Sequence, residues 1–400
     1  MDVSEQEELS TPIAYEPVNV KDLLIQMKDT AELLIDLSYS AVLNQNAELA
    51  AEVLRLEHEM DVLEIRAQMG LLMAARSPDD AEKLAPVLGI VAATDQISDA
   101  AGDIAKIVRE EIGLPEAMRA ALPEAVETLL RGEVAEDSAY AGKTLGNIDL
   151  ESKTGIRVIA LRRGDEWLLN PGRKTTIKAG DIALLRGPEM ETVYNTLTGT
   201  DYEHKPVETE VTPDLERAVN TIVQMKNFSE LAVDLAYSSV LFDDEELAEE
   251  VSNLEIEVDN LESRFEAWVL QAAVEADDPV TLRGLIHLGT STEMISDAAL
   301  DISEGILRDI DVHPVVQLAV EESDEIITRA EIEDGSQLDG TAITNGVADA
   351  DVTMSVIAIR RPDEGWLLVA DSDAELRGGD IVIAKGTRTA AESFDKLASS

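Results

Sequence analysis

The sequence predicts a multidomain protein of mixed class, all-α plus α+β. It should contain two three-helix units, able to pair as a pseudo-symmetric six-helix bundle, and two small α+β domains. Three observations predict this. The chain repeats itself at an offset of 198 residues. Each repeat opens with long apolar patterns of 3.6-residue period and few glycines. Each then changes to short β-branched runs broken by Gly, Pro and Asp.

The repeat is explicit. LLIDLSYSAVL (33–43) matches LAVDLAYSSVL (231–241) at 7 of 11 positions. TDQISDAAGDI (94–104) matches TEMISDAALDI (292–302) at 8 of 11, and RVIALRR (157–163) matches SVIAIRR (355–361) at 5 of 7. The offset becomes 199 beyond Arg163 and Arg361, as in Trp167/Trp366 and Gly180/Gly379. One residue has entered the loop that follows the strand. A constant offset over so long a span marks a tandem duplication.

The elements follow in order. Residues 18–113 form the first helical unit, with helices over 20–43, 47–75 and 79–112. Ser77-Pro78-Asp79 is a cap followed by a first-turn proline, which starts the third of them. Residues 115–199 form the first α+β domain. A short helix over 115–131 leads into strands in GIRVIALRR, EWLLNP and DIALLRG, and a helix over 188–198 closes it. Residues 200–213 are a linker. The second helical unit covers 214–311, with helices over 214–242, 244–276 and 279–310, and the second α+β domain covers 315–399.

Composition narrows the function. Net charge is −50, from 82 acids and 32 bases spread over 400 residues, with 45% hydrophobic content. That much apolar material forms real cores. The even acidity suits a high-salt, halophilic archaeal cytoplasm, where the Debye length is only ~3 Å at 1 M salt. It also excludes nucleic acid as the main partner. There is no cysteine, so disulfides and thiol catalysis are excluded. The start carries no basic and apolar leader pattern. No apolar run approaches the ~20 residues of a membrane span. A soluble cytoplasmic protein is expected, peripheral to a membrane only through a partner.

Two resemblances are carried by motifs. Gly142-Lys143-Thr144-Leu145, then Val158-Ile159-Ala160-Leu161-Arg162, Pro171, and Ile177-Lys178-Ala179-Gly180-Asp181 resemble the C-terminal domain of RCK proteins, TrkA-C. The second copy has Gly340, Val356 to Arg360, and Leu376-Arg377-Gly378-Gly379-Asp380, with Ala370 in place of Pro171. The helical units resemble the PhoU family, whose middle and third helices carry acidic signatures. Here these are Glu57-x-x-x-Asp61 with Asp95, Asp99 and Asp103, and Glu255-x-x-x-Asp259 with Glu293, Asp297 and Asp301. The order is a PhoU-like unit, a TrkA-C domain, and both again.

Carboxylates four residues apart share one helix face. Two such rows on packed helices would converge, and oxygen donors suit Mg, Mn or Fe. The PhoU resemblance implies a metal site at these ten residues. A solvated acidic face is the rival reading. Asp36 and Asp234 sit inside apolar runs, where a buried acid needs a partner. A Ser on a neighbouring helix and the acidic rows themselves are both open to them. His58 adjoins Glu57, but the second copy has Ile256 there, which speaks against a ligand.

Residues 153–186 hold eight bases and three acids, a net +5, whereas 351–385 sum to −3. Arginines suit phosphate. The TrkA-C resemblance implies an anionic ligand such as cyclic di-AMP, held near Ile159, Leu161, Arg162, Arg163, Pro171 and Arg173. No loop for a nicotinamide or a nucleoside triphosphate is present, and no nucleophile triad, so no enzyme is expected. The two resemblances imply a regulatory or sensor subunit of an integral-membrane cation channel, transporter or antiporter, with potassium foremost. A PhoU-type regulator of phosphate uptake or signalling, or of a magnesium transporter, is the alternative. A homo-oligomer is compatible with either.

Overall fold

A computed structural model describes residues 19–115, 128–164, 166–187, 190–201, 212–276, 278–344, 347–348, 354–361, 365–368 and 374–399. The first helical unit comprises α1 (Val20–Asn44), α2 (Ala47–Ala74) and α3 (Pro78–Arg109). Each starts on a side-chain cap. Asn19 accepts from the Lys21 N–H, Asn46 from Glu48 and Leu49, and Ser77 from Asp80, with Pro78 in the first turn. Such caps satisfy the amides that lack an intrahelical partner.

The first α+β domain follows. It contains β1 (Thr128–Glu133), two short helices α4 (Leu145–Ile148) and α5 (Leu150–Thr154), β2 (Arg157–Arg163), β3 (Glu166–Leu169), β4 (Ile182–Gly187) and α6 (Glu191–Thr198). Its sheet is antiparallel in the order β1-β4-β2-β3. Residues 128–131, expected as the end of a helix, are strand. Leu129 to Arg131 pair with β4, and the period of 2 sends Leu129 to the helical bundle and Leu130 to the domain core. The rest of the expected 115–131 helix and most of the linker lie outside the described residues.

The second unit has α7 (Pro213–Phe242), α8 (Glu245–Glu275) and α9 (Arg283–Leu307). Its third helix begins later than the pattern suggests, because Pro279–Leu282 forms a 3₁₀ turn. The second α+β domain has α10 (Val315–Glu322), β5 (Ile326–Glu331), β6 (Ala342–Thr344), β7 (Val347–Ala348), β8 (Ser355–Arg361), β9 (Gly365–Leu368), β10 (Ala374–Glu375), β11 (Ile381–Gly386) and α11 (Arg388–Ala398). The described helices include none long and apolar enough to cross a membrane.

One apolar core runs through both helical units. The third helices pack antiparallel, α3 against α9. The Gly284 N–H at the start of α9 donates to Gly113 O, just past α3, at 2.9 Å. A Cβ on Gly284 would lie 2.1 Å from that oxygen, so the approach requires glycine. At the other end, Gly305 of α9 abuts Pro86 of α3.

Matched polar contacts cross the pseudo-twofold. Tyr39 Oη meets Thr292 Oγ1 at 2.8 Å, and Tyr237 Oη meets Thr94 Oγ1 at 3.1 Å. Lys28 Nζ lies 5.2 Å from the Tyr237 ring centre, and Lys226 Nζ 5.2 Å from that of Tyr39. Each is a cation–π contact from a buried lysine. Each lysine also pairs with a glutamate one turn on, Glu32 or Glu230.

Both sheets lay one face on the bundle, through Leu129, Ile159 and Leu184 in one domain and Ile327, Ile357 and Ile383 in the other. Their opposite faces build separate cores with α6 and α11.

Candidate functional site

The acidic rows lie between the second and third helices of each unit. In the first unit, carboxylate oxygens of Asp61, Asp95 and Asp99 fall within 4.8 Å of one another. In the second, the set is Glu255, Asp259 and Asp297. One buried oxygen of Asp95, Oδ1, has no hydrogen-bond partner. Burial pushes the Asp95 carboxyl up to about 7, aided by Glu64, Asp99 and Asp61. Burial and Asp297 push Glu293 up to about 8. Asp99 and Asp301 are raised as well, by burial first and neighbouring acids next, and Asp297 is raised by burial, with a hydrogen bond to Glu293 opposing and Asp259 adding to the shift. Rows of this kind resist full ionisation unless a cation joins them. The donors are all oxygen, which fits Mg, Mn or Fe.

The other expected ligands sit around these triads. Glu57 and Asp103 are drawn to Lys106, whose Nζ is 3.5 Å from Glu57 Oε1 and 2.8 Å from Asp103 Oδ1. Glu57 lies over Gly102, where a Cβ would come 2.4 Å from its carboxyl carbon. The second copy has Leu300 and Glu304 at the positions of Gly102 and Lys106. There Glu255 joins its triad, while Glu57 does not join the first. Glu293 and Asp301 flank the second triad along α9. His58 Nδ1 is 3.4 Å from Asp61 Oδ2, beside the row. Sequence reasoning missed Glu64 and Glu262, which face Asp95 and Glu293. Their spacing, three residues beyond Asp61 and Asp259 in both copies, was the available signal.

The expected anion-site residues scatter. Ile159 is buried against the bundle, and Leu161 is buried in the domain core. Arg162 reaches Glu48 at 2.8 Å, and its counterpart Arg360 reaches Glu246 at 2.7 Å. Both tie a sheet to the start of a middle helix. Arg163 holds the buried Asp181 through two bonds of 2.8 and 2.6 Å, and Arg361 holds Asp380 in the same way. Burial alone would raise the Asp181 carboxyl; Arg163 and the Lys178 N–H bring it below its usual range. The Gly-Asp motif is thus a turn lock.

Pro171 and Arg173 line a cleft of about 440 Å³ between the two α+β domains. Its polar wall mixes the bases Arg157 and, from the second domain, Arg388 with the acids Asp149, Glu151 and Asp324, and with Ser152, Asn170 and Thr387. Ser152 and Thr387 share a hydrogen bond of 2.9 Å across it. Arg173 pairs with Asp149 at 3.3 Å, and Arg388 donates to the Glu321 carbonyl at 2.7 Å.

Asp36 belongs to neither expectation. Its carboxylate accepts from Arg186 of β4 at 2.8 Å. Asp234 takes Lys385 of β11 at 2.8 and 2.9 Å. These pairs, the first buried and the second part-buried, fasten each sheet to the first helix of its own unit.

Comparison with known proteins agrees with this architecture. The PhoU domain matches residues 24–108 and 222–306, and the TrkA-C domain matches 129–192. The chain therefore contains two PhoU domains and a TrkA-C domain, and the second α+β domain repeats the first in sequence. This composition is that of a non-catalytic regulatory protein. Among solved structures, PhoU from Pseudomonas aeruginosa is 14% identical, over 72% of this chain and 95% of that one, with a TM-score of 0.41. The GsuK RCK domain is 15% identical, over 68% and 63%, with a TM-score of 0.16. The GsuK channel bound to NAD is 11% identical, over 80% and 65%, with a TM-score of 0.18. This chain spans less than two thirds of those two chains. No curated protein matches it.

Proposed function

We propose that this protein is a PhoU-type regulator of a membrane transporter, with phosphate uptake as the regulated process. The observation that supports this best is the pair of PhoU matches, which together reach all six helices of the core. Asp61, Asp95 and Asp99, with Glu255, Asp259 and Asp297, would hold divalent cations, which would supply the positive charge the rows lack. Deleting the gene tests the reading. Phosphate accumulation should rise when the restraint is removed. Unchanged phosphate with altered potassium or magnesium content would transfer the role to a cation transporter.

That cation-transport reading is second, and the TrkA-C match with the cleft beside Pro171 and Arg173 supports it. An anion such as cyclic di-AMP would enter the cleft and meet Arg157, Arg173 and Arg388. Calorimetric titration of cyclic di-AMP in high salt should give saturable heat that Arg388→Ala weakens. Absence of heat at high micromolar ligand removes that compound. The partner in either reading is an integral-membrane protein, met from the cytoplasmic side.

A further inference from the structure

Glu325, just before β5, is buried and divides its two oxygens between two arginines of the other α+β domain. Oε1 accepts from Arg186 Nη2 at 2.5 Å. Oε2 lies 3.3 Å from Arg157 Nη1. Arg186 continues to Asp36 in the bundle at 2.8 Å. Arg157 continues to Asn170 Oδ1 at 2.8 Å, and Asn170 donates to Asp324 at 2.6 Å. Arg157, Asn170 and Asp324 form part of the cleft wall. One charged chain thus runs from the cleft, through Glu325, to helix α1. The second joint differs in its bases. Lys385 stands in place of Arg186 and pairs with Asp234, and the uncharged Ser355 stands in place of Arg157. The counterpart of Glu325 by the repeat offset, Glu127, lies outside the described residues.

We propose that Glu325 is an electrostatic latch that holds the two α+β domains and the bundle in one closed arrangement. Removing one member of a buried charge network leaves its partners uncompensated, so the network favours discrete arrangements over gradual loosening. Arg157 is the member that the cleft can reach. An anion there would compete for Arg157 with Glu325 Oε2, and with Glu151 and Asp324, each 3.8 Å away, and leave Glu325 to Arg186 and the more distant Lys385. The cleft's own Asp149, Glu151 and Asp324 oppose such an anion, while Arg173 and Arg388 favour it. The trigger rests on the cleft reading given above, whereas the latch rests on the ion network.

The chain has no cysteine, so cysteines introduced at the exposed Lys143 and Glu392 are its only thiols. Spin labels there report the separation of the two domains in the full chain. The wild type should give one narrow distance. Glu325→Gln should add a longer population, and amides in β5 should lose exchange protection. Should Glu325→Gln fail to fold, Arg157→Met, which keeps the Asp36–Arg186–Glu325 segment, should show the same longer population. A distribution identical to wild type in the folded variant, with unchanged exchange in β5, overturns the latch. Inorganic pyrophosphate is the separate arm. If it brings the wild type to the longer population that Arg157→Met already shows and leaves Arg157→Met unchanged, latch and cleft are both supported. If Glu325→Gln opens and pyrophosphate does nothing, the latch stands and the anion reading falls.

Discussion

Asp36 and Arg186 are each below a tenth exposed, so losing Asp36 would take from the buried Arg186 one of its two carboxylate partners, the other being Glu325. Asp36→Ala should therefore cost about 3–5 kcal/mol, read by denaturant unfolding in high salt. Replacing Arg186 with an apolar residue as well should not recover that loss, because it takes from the buried Glu325 its closest base. Asp95 and Glu293 add a pH dependence. Their folded pKa values, about 7 and about 8, lie above the unfolded ones. Asp29, raised by burial to about 7, acts in the same direction. Between the unfolded and folded values the native chain holds protons that the unfolded chain has released, so stability falls as pH rises. The melting temperature of chelator-treated protein should thus drop from about pH 6 to about pH 8.5. Asp95→Asn with Glu293→Gln should flatten the slope, and manganese should offset it in the wild type alone.

At the scale of elements, the antiparallel contact of α3 and α9 is set by two glycines. Gly284→Ala would place a methyl 2.1 Å from Gly113 O and break the 2.9 Å hydrogen bond there. A cost of about 2 kcal/mol is expected, seen as a lower denaturation midpoint. Gly89→Ala is the control, because no atom lies within 4 Å of a Cβ there. That change should be neutral or slightly stabilising, as alanine is the better helix former. The helices are legible in the sequence because their periodicity and caps are local. Ser77-Pro78 and Thr212-Pro213 start helices in the structure. The strand at 128–131 reads as helix in the sequence, because a short apolar run fits either period until β4 is known to lie beside it.

The whole molecule carries a net charge of −50, so self-repulsion should make its stability depend on salt. Raising potassium chloride from about 0.1 M to about 2 M should raise the melting temperature, with most of the gain below about 1 M, where the Debye length has shrunk to ~3 Å. A salt-independent melting curve would mean that self-repulsion does not limit the stability of the fold. At this scale the duplication has a structural use. Tyr39–Thr292 and Tyr237–Thr94 close the same contact twice, so one chain builds the symmetric core that two copies would otherwise share.

The sequence by itself determined the repeat, the alternation of helical and α+β parts, the carboxylate rows and the Gly-Asp turns. Each depends on residues near one another in the chain or on a fixed offset, and spacing alone places those on a common face. Tertiary structure decided the rest. It placed Arg162 on Glu48, Arg163 on Asp181 and Arg186 on Asp36, so most of the basic island binds the protein's own acids. It added Glu64 and Glu262 to the rows and left Pro171 and Arg173 at the cleft. Spacing cannot give these partners, because each lies across a domain boundary, a helix pair or, for Arg163 and Asp181, a strand pair, and packing decides which of these meet.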